Sequence, residues 1–289
     1  MPLYDFREDM QEAREEINKP FEGITSGIEA LDNHITGFPK GDLSIIAGRP
    51  GLGKSSLARN ILLNNSKPDV DFGVGFLCTM EMKCYEIYGY MASTLSHVSY
   101  EDISKNLATQ AQVDSFNDKC NTLLNYKIKV QDDSGITPDT IKANLDIIMP
   151  KEDISCLIVD YLQLMALQKP VESRQLEISE ISRELKGIAM DYNIPVIGLS
   201  QLNRNVEYRE SGRPRLVDLR ESGSMEQDAS TIILIHRPSY NNKQFDANAE
   251  DDGEVELIIP KCRRGKTGVV NCAFIGEWTC FIDKPEEEF

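Results

Sequence analysis

The 289-residue chain has no run of 18 or more apolar residues, so nothing in it reads as a membrane-spanning helix. Its first 19 residues lack the basic start and apolar centre of a secretion signal, and the expectation is a cytoplasmic protein with no membrane partner. Positive charge is also scarce. With 31 Lys and Arg against 47 Asp and Glu, the net charge of −16 argues against a protein that coats duplex DNA with its whole surface, though a small basic channel is compatible with it. The seven cysteines, at 78, 84, 120, 156, 262, 272 and 280, form no C-x-x-C pair and have no His at metal-ligand spacing, so neither a disulfide framework nor a zinc site is signalled. There is no internal repeat or low-complexity tract, and the acidic runs at 246–254 and 286–288 read as solvated surface.

What the chain does contain is short apolar, β-branched runs at 43–47, 74–78, 127–130, 156–159, 196–199, 231–235 and 256–259. Segments of helical period lie between several of them. The clearest spans 174–192, where Ile178, Ile181, Leu185, Ile188 and Tyr192 recur at steps of three and four, with Glu177, Glu180 and Glu184 off that stripe. Continuous apolar strands alternating with helices predict a mostly parallel, twisted sheet covered on both faces, because parallel neighbours need crossover connections. Residues 269–283, with Gly276 between two short runs, predict an antiparallel hairpin at the C-terminal edge of that α/β sheet.

One motif carries chemistry by itself. Gly48-Arg49-Pro50-Gly51-Leu52-Gly53-Lys54-Ser55 satisfies the G-x-x-x-x-G-K-[ST] phosphate loop and lies between a predicted strand and a predicted helix, where its mechanism requires it. The glycines let successive N–H groups curl around phosphates at a helix N-terminus, Lys54 adds a point charge, Ser55 can ligate Mg²⁺, and Ser56 follows as a further nucleotide contact. A phosphate site of this type needs an acid for the metal, and Asp160 closes the apolar run Leu157-Ile158-Val159 at a strand's C-terminal edge. Hydrolysis also needs a group for the attacking water, and Glu81 follows the strand at 74–78 by way of Thr79 and Met80.

From Asp160 onward the words Asp160-Tyr161-Leu162-Gln163-Leu164, Glu177-Ile178-Ser179-Glu180-Ile181-Ser182-Arg183, Leu199-Ser200-Gln201-Leu202-Asn203-Arg204 and Asp218-Leu219-Arg220-Glu221-Ser222-Gly223-Ser224-Met225-Glu226-Gln227-Asp228-Ala229 closely resemble the DnaB-type replicative helicases, in order and spacing. The resemblance spans roughly 23–283 and is thinnest at 84–126; it does not include the family's helical N-terminal domain. It implies a RecA-like P-loop NTPase over 23–289 and an ATP-dependent, Mg²⁺-using DNA helicase that moves 5′ to 3′ on single-stranded DNA as a ring of six copies, with a helicase loader and a primase as partners. It makes Glu81 the catalytic glutamate, Gln201 the sensor that couples the γ-phosphate to the DNA loops, and Lys261 with Arg263 the pair that reaches into the next copy's nucleotide.

Between Gln201 and Arg220 the global charge reverses, with Arg204, Arg209, Arg213, Arg215 and Arg220 against Glu207, Glu210 and Asp218. Gly212 and Pro214 make this a loop, and six copies of it around a ring centre would form a funnel for the phosphates of a single strand. The resemblance adds Arg220, Glu221 and Gly223 to the lining of that pore. Tyr208 is the one aromatic there, so backbone tracking with slight sequence preference is expected rather than base stacking. At 1–22 a linker helix is expected, with Phe6, Met10, Ala13 and Ile17 on one stripe for docking on the adjacent copy. Two rival readings stay open: a RecA- or KaiC-like ATPase of recombination or signalling, and a helicase-interacting protein without unwinding activity.

Overall fold

The computed structural model describes residues 21–70, 72–168, 171–206, 209, 212–219, 223–240 and 251–284, together with Met10 and Arg14. The linker-helix expectation for 1–22 falls almost wholly outside these residues, as do Arg220 and Glu221.

A small two-stranded sheet, β1 (Gly23–Ile24) against β2 (Phe38–Pro39), flanks α1 (Glu29–Ile35). The main unit begins with β3 (Leu43–Gly48), α2 (Lys54–Asn65), β4 (Val74–Thr79), α3 (Cys84–Ser96), α4 (Tyr100–Ser104), α5 (Gln110–Leu123) and β5 (Ile128–Gln131). It continues through α6 (Pro138–Ile148), β6 (Ile154–Asp160), α7 (Arg174–Tyr192), β7 (Val196–Gln201), α8 (Gly223–Asp228) and β8 (Thr231–His236). The strands β9 (Glu254–Cys262), β10 (Gly268–Ile275) and β11 (Cys280–Asp283) complete it. The spatial order is β11-β10-β9-β8-β3-β7-β6-β4-β5. From β8 to β5 all neighbours are parallel, and β9, β10 and β11 add an antiparallel edge. This is a RecA-like α/β fold with the C-terminal hairpin expected from Gly276.

Burial explains why the central strands carry no polar face. Along β3, Leu43, Ile45 and Ala47 pack with Ile141, Leu145, Ile178, Ile181, Leu185 and Ile188 of α6 and α7, while Ile46 packs with Leu57, Ile61, Leu62, Ile87 and Met91 of α2 and α3. Strand side chains alternate between faces, so a sheet with helices on both sides needs apolar residues at every position. Each fully buried Leu or Ile contributes roughly 1.5–3 kcal/mol to such a core. Strand β9 of the antiparallel part, by contrast, alternates buried Val255, Leu257 and Ile259 with more exposed neighbours.

Helix ends follow local chemistry. Thr137 caps α6, accepting from the Thr140 amide at 3.2 Å, with Pro138 in the first turn. Ser173 accepts from the Leu176 amide at 3.3 Å to open α7, and Asn193, with φ 49°, closes it. Each such cap is worth about 1 kcal/mol. Helix α2 is the exception that matters: its N-cap is Gly53, which offers its first turn no side-chain acceptor.

Candidate active site

The phosphate loop runs from the C-terminal end of the central strand β3 into α2. Gly51 and Gly53 hold φ of +78° and +97°, a region disfavoured for side chains. A Cβ at Gly51 would meet the Tyr240 hydroxyl at 2.5 Å, and one at Gly53 would meet the Phe281 ring at 2.9 Å. Both positions therefore require glycine for conformation and for space. Because the first-turn amides of α2 lack a side-chain cap, they are available to an anion, and the helix dipole favours negative charge there.

Parallel neighbours bring three more groups to the same end. Asp160 ends β6, Glu81 follows β4, and Gln201 ends β7 beside Gly48. Lys54, Ser55, Ser56, Glu81 and Gln201 line one cavity of about 510 Å³ together with Pro50, Gly51 and Gly53. Lys54 Nζ donates to the Arg49 carbonyl at 3.2 Å, and the Arg49 guanidinium donates to the Leu202 carbonyl at 3.0 Å, fastening the loop to the segment after β7. Gln163 holds the backbone of Gln201 on both sides, donating to its carbonyl at 3.1 Å and accepting from its amide at 3.1 Å, while its amide group also reaches Ser200 Oγ at 2.9 Å.

The electrostatics are those of a preorganised anion site. Burial lowers the Lys54 ammonium below its usual range, and the Asp160 and Glu81 carboxylates oppose that shift. Asp160, only 4% exposed, is pushed up by burial and by Glu81, while the Ser55 hydroxyl and Lys54 pull it back. Its Oδ1 is buried with no hydrogen-bond partner among the described residues. A carboxylate oxygen left so is costly unless a cation meets it. The Ser55 hydroxyl and the Asp160 carboxylate beside the phosphate loop are a donor set that fits Mg²⁺, which takes one or two protein oxygens and completes its shell with phosphate and water. Among the described residues no cluster of three or more His, Cys, Asp or Glu offers a denser metal site.

The sequence model of the DnaB-like helicase C-terminal domain family matches residues 23–283. The chain belongs to that family. It is 36% identical over 282 residues to the replicative DNA helicase DnaB of Buchnera aphidicola subsp. Baizongia pistaciae, covering 94% of this chain and 59% of the relative. It thus spans less than two thirds of that relative's length. A solved ATPase domain superposes with a TM-score of 0.86 at 32% identity, covering 98% of this chain and all of that one. A DnaB-like replicative helicase, solved for its interactions with primase, superposes with a TM-score of 0.84 at 31% identity, covering 96% of this chain and 68% of that one.

For a DnaB-family chain the remaining expected residues lie in a second place. Lys261 is in β9 and Arg263 just beyond it, and neither lines the phosphate-loop cavity of its own copy. The Lys261 ammonium donates to the Glu226 carbonyl and, at 3.4 Å, to that of Gln227; Arg263 donates to Gln227 O at 3.0 Å. Both cations thus rest on carbonyls in the last turn of α8, where the helix dipole favours them. Arg264 turns away to pair with Asp42 at 3.4 Å. In the basic segment, Arg209 is bidentate to the buried Asp218 at 2.5 and 2.6 Å, and Arg213 pairs with Glu256 at 3.1 Å. Arg204 opens a short 3₁₀ turn and is exposed, and Gly223 opens α8.

Sequence reasoning did not include the far wall of the cavity. Arg59, Tyr90, Arg237, Tyr240, Phe274 and Thr279 also line it. The Arg237 guanidinium lies between the Tyr240 and Phe274 rings at 4.7 and 4.2 Å and pairs with Asp251. These residues come from distant parts of the chain and share no spacing. The one local signal was Arg59, a charge interrupting the apolar stretch Leu57-Ala58-Arg59-Asn60-Ile61-Leu62-Leu63.

Proposed function

We propose that the chain is the ATP-hydrolysing motor of a ring-forming replicative DNA helicase that moves 5′ to 3′ on single-stranded DNA and unwinds duplex. The observation that carries this reading is the convergence of Lys54, Ser55, Glu81 and Gln201 on one cavity at the C-terminal edge of the sheet, with the Asp160 carboxylate beside it at the end of β6. The triphosphate lies along the loop amides and Lys54. Ser55 and Asp160 would hold Mg²⁺, which would supply positive charge to offset that of the phosphates. Glu81 orients the attacking water and accepts its proton as the γ-phosphoryl group is transferred to that water. Gln201, held by Gln163, reports the γ-phosphate to the segment that follows β7.

Lys261 and Arg263 act in trans, where a guanidinium delivered across an interface stabilises charge developing on the transferred phosphoryl group. Six copies form the ring, and residues 1–22 of each dock on the next. The strand passes through the ring centre against Arg204, Arg209, Arg213, Arg220, Glu221 and Gly223. A primase and a loader are the partner proteins, the first supported by the solved relative described with primase. Among the described residues no helix is long and apolar enough to cross a membrane.

The test is electron microscopy with single-stranded DNA and a non-hydrolysable ATP analogue, paired with unwinding of a forked duplex. A closed or spiral hexamer around the strand, with ATP-dependent unwinding, is the expected result. Strand exchange without unwinding, or particles with DNA outside a ring, would replace this reading with the recombinase one.

A further inference from the structure

Arg59 is only 5% exposed, yet it lines the phosphate-loop cavity. Its guanidinium reaches back along α2 toward the loop, donating to Ser56 Oγ at 3.0 Å, and across to Thr279 Oγ1 in the β10–β11 turn at 3.2 Å. Helical side chains lean toward the N-terminus, so a residue one turn into α2 delivers its charge to the level of the first turn. One face of the guanidinium lies over the Tyr90 ring, 4.8 Å from its centre. These neutral partners fix the orientation of the group without cancelling its charge.

Among the described residues no carboxylate forms an ion pair with Arg59, and its Nε is buried with no hydrogen-bond partner. Burial is the largest influence on the guanidinium and lowers it to about 10; the Asp160 carboxylate opposes that shift but makes no ion pair with it. A buried cation with no ion-pair partner is expensive for the fold, and replacing such a group by a well-packed apolar one is often neutral or stabilising. A charge kept in so costly a place on the wall of a phosphate cavity finds its counter-charge in the ligand.

Resting on the nucleotide-site reading above, we propose that Arg59 is a nucleotide-contacting residue that neutralises the α-phosphate of the bound nucleotide. Lys54, Glu81 and Asp160 gather at the metal and γ-phosphate end, where Ser55 sits. Arg59 stands one turn farther into α2, beside Ser56 and the Thr279 turn. The contact is therefore shared by nucleoside di- and triphosphates, and Arg59 sets affinity for both rather than acting on the transferred group.

The test measures binding of Mg²⁺-ADP and of a non-hydrolysable Mg²⁺-ATP analogue to the full chain and to Arg59→Leu and Arg59→Lys, with the nucleotide-free thermal midpoint of each. A lost charge-assisted contact weakens both ligands by a similar factor, about 10- to 100-fold, in Arg59→Leu. The nucleotide-free midpoint of that variant stays level or rises, Arg59→Lys binds at an intermediate strength, and the α-phosphorus resonance of bound ADP shifts in ³¹P NMR. Wild-type affinity in Arg59→Leu overturns the proposal, and weakening of the ATP analogue alone overturns the α-phosphate assignment. If Arg59→Leu does not fold, the Arg59→Lys comparison decides, since unchanged affinity and an unchanged α-phosphorus signal there count against the contact. A native chain that binds neither ligand would instead bring down the nucleotide-site reading itself.

Discussion

The cavity beside the phosphate loop and the basic flank formed by residues 204–219 and the end of β9 handle charge in opposite ways. In and beside the cavity, Asp160 Oδ1, Arg59 Nε and Arg237 Nε are buried without hydrogen-bond partners among the described residues, and Lys54 is held among carboxylates with its ammonium lowered by burial. On the flank, Arg209 is closed onto Asp218, Arg213 onto Glu256, Arg264 onto Asp42, and Lys261 and Arg263 onto helix-end carbonyls. Buried polar groups are nearly always satisfied, so three left open around one cavity are what a site completed by a ligand leaves in a single chain. Satisfied cations on an exposed edge mark something else, groups that must exchange an internal partner for an external one before they act.

The largest effect that would break this contrast concerns the flank. Arg263→Ala is expected to lower kcat by about 10³–10⁵-fold in the assembled protein while leaving nucleotide affinity within a few-fold, as steady-state hydrolysis and equilibrium binding would show. Glu81→Gln should lower kcat by about 10²–10⁴-fold with nucleotide binding retained; a change confined to KM would remove it from the water-activating role.

Asp160→Asn sharpens the cavity half. Burial raises the Asp160 carboxyl, so the fold favours its protonated form and the nucleotide-free protein loses stability as pH rises through its titration. The Asn variant removes that penalty, and a gain of about 1 kcal/mol would raise the nucleotide-free midpoint by roughly 2–4 °C. The same substitution should abolish the extra stabilisation by Mg²⁺-nucleotide. In the native chain, Mg²⁺-nucleotide binding should weaken on acidification at a higher pH than an exposed aspartate, with its ordinary value of 3.8, would allow.

Smaller effects separate the arginines of the flank. Arg209→Ala strips a bidentate partner from Asp218, whose side chain is 3% exposed, and should cost about 1–3 kcal/mol in denaturant unfolding. Arg204→Ala, at an exposed position, should leave stability unchanged and reduce the salt slope of single-strand binding by about 1. If Arg209→Ala instead proves stable and loses DNA alone, Arg209 serves the strand without holding the fold.

The sheet was legible because its signals are local. The strand at 74–78 needed only its unbroken apolar run, and α7 needed only its stripe. Residues 97–126 were harder, since the helices there bury little: α4 buries no residue and α5 buries Phe116 alone across its whole length, which leaves almost no periodic pattern to read. The same division holds in the site. The phosphate loop, Glu81 and Asp160 follow strands in ways that spacing reveals, whereas Arg237 and Tyr240 beyond β8, with Phe274 and Thr279 of the antiparallel edge, meet the loop only through the fold. The Arg209–Asp218 pair was hidden for a different reason. Both residues were visible as charges, but composition cannot say which charges the fold itself consumes.

The most direct measurement mixes two inactive variants. Lys54→Ala spoils the cavity of its own copy and Arg263→Ala spoils what that copy offers its neighbour, so each alone should hydrolyse ATP at background rate. Mixed rings contain interfaces with an intact cavity on one side and an intact arginine on the other, and hydrolysis should return to a fraction of the native rate that follows the mixing ratio. A mixture that stays inactive although the two variants co-assemble, or an Arg263→Ala protein that hydrolyses ATP at the native rate, would contradict a site completed by the adjacent copy.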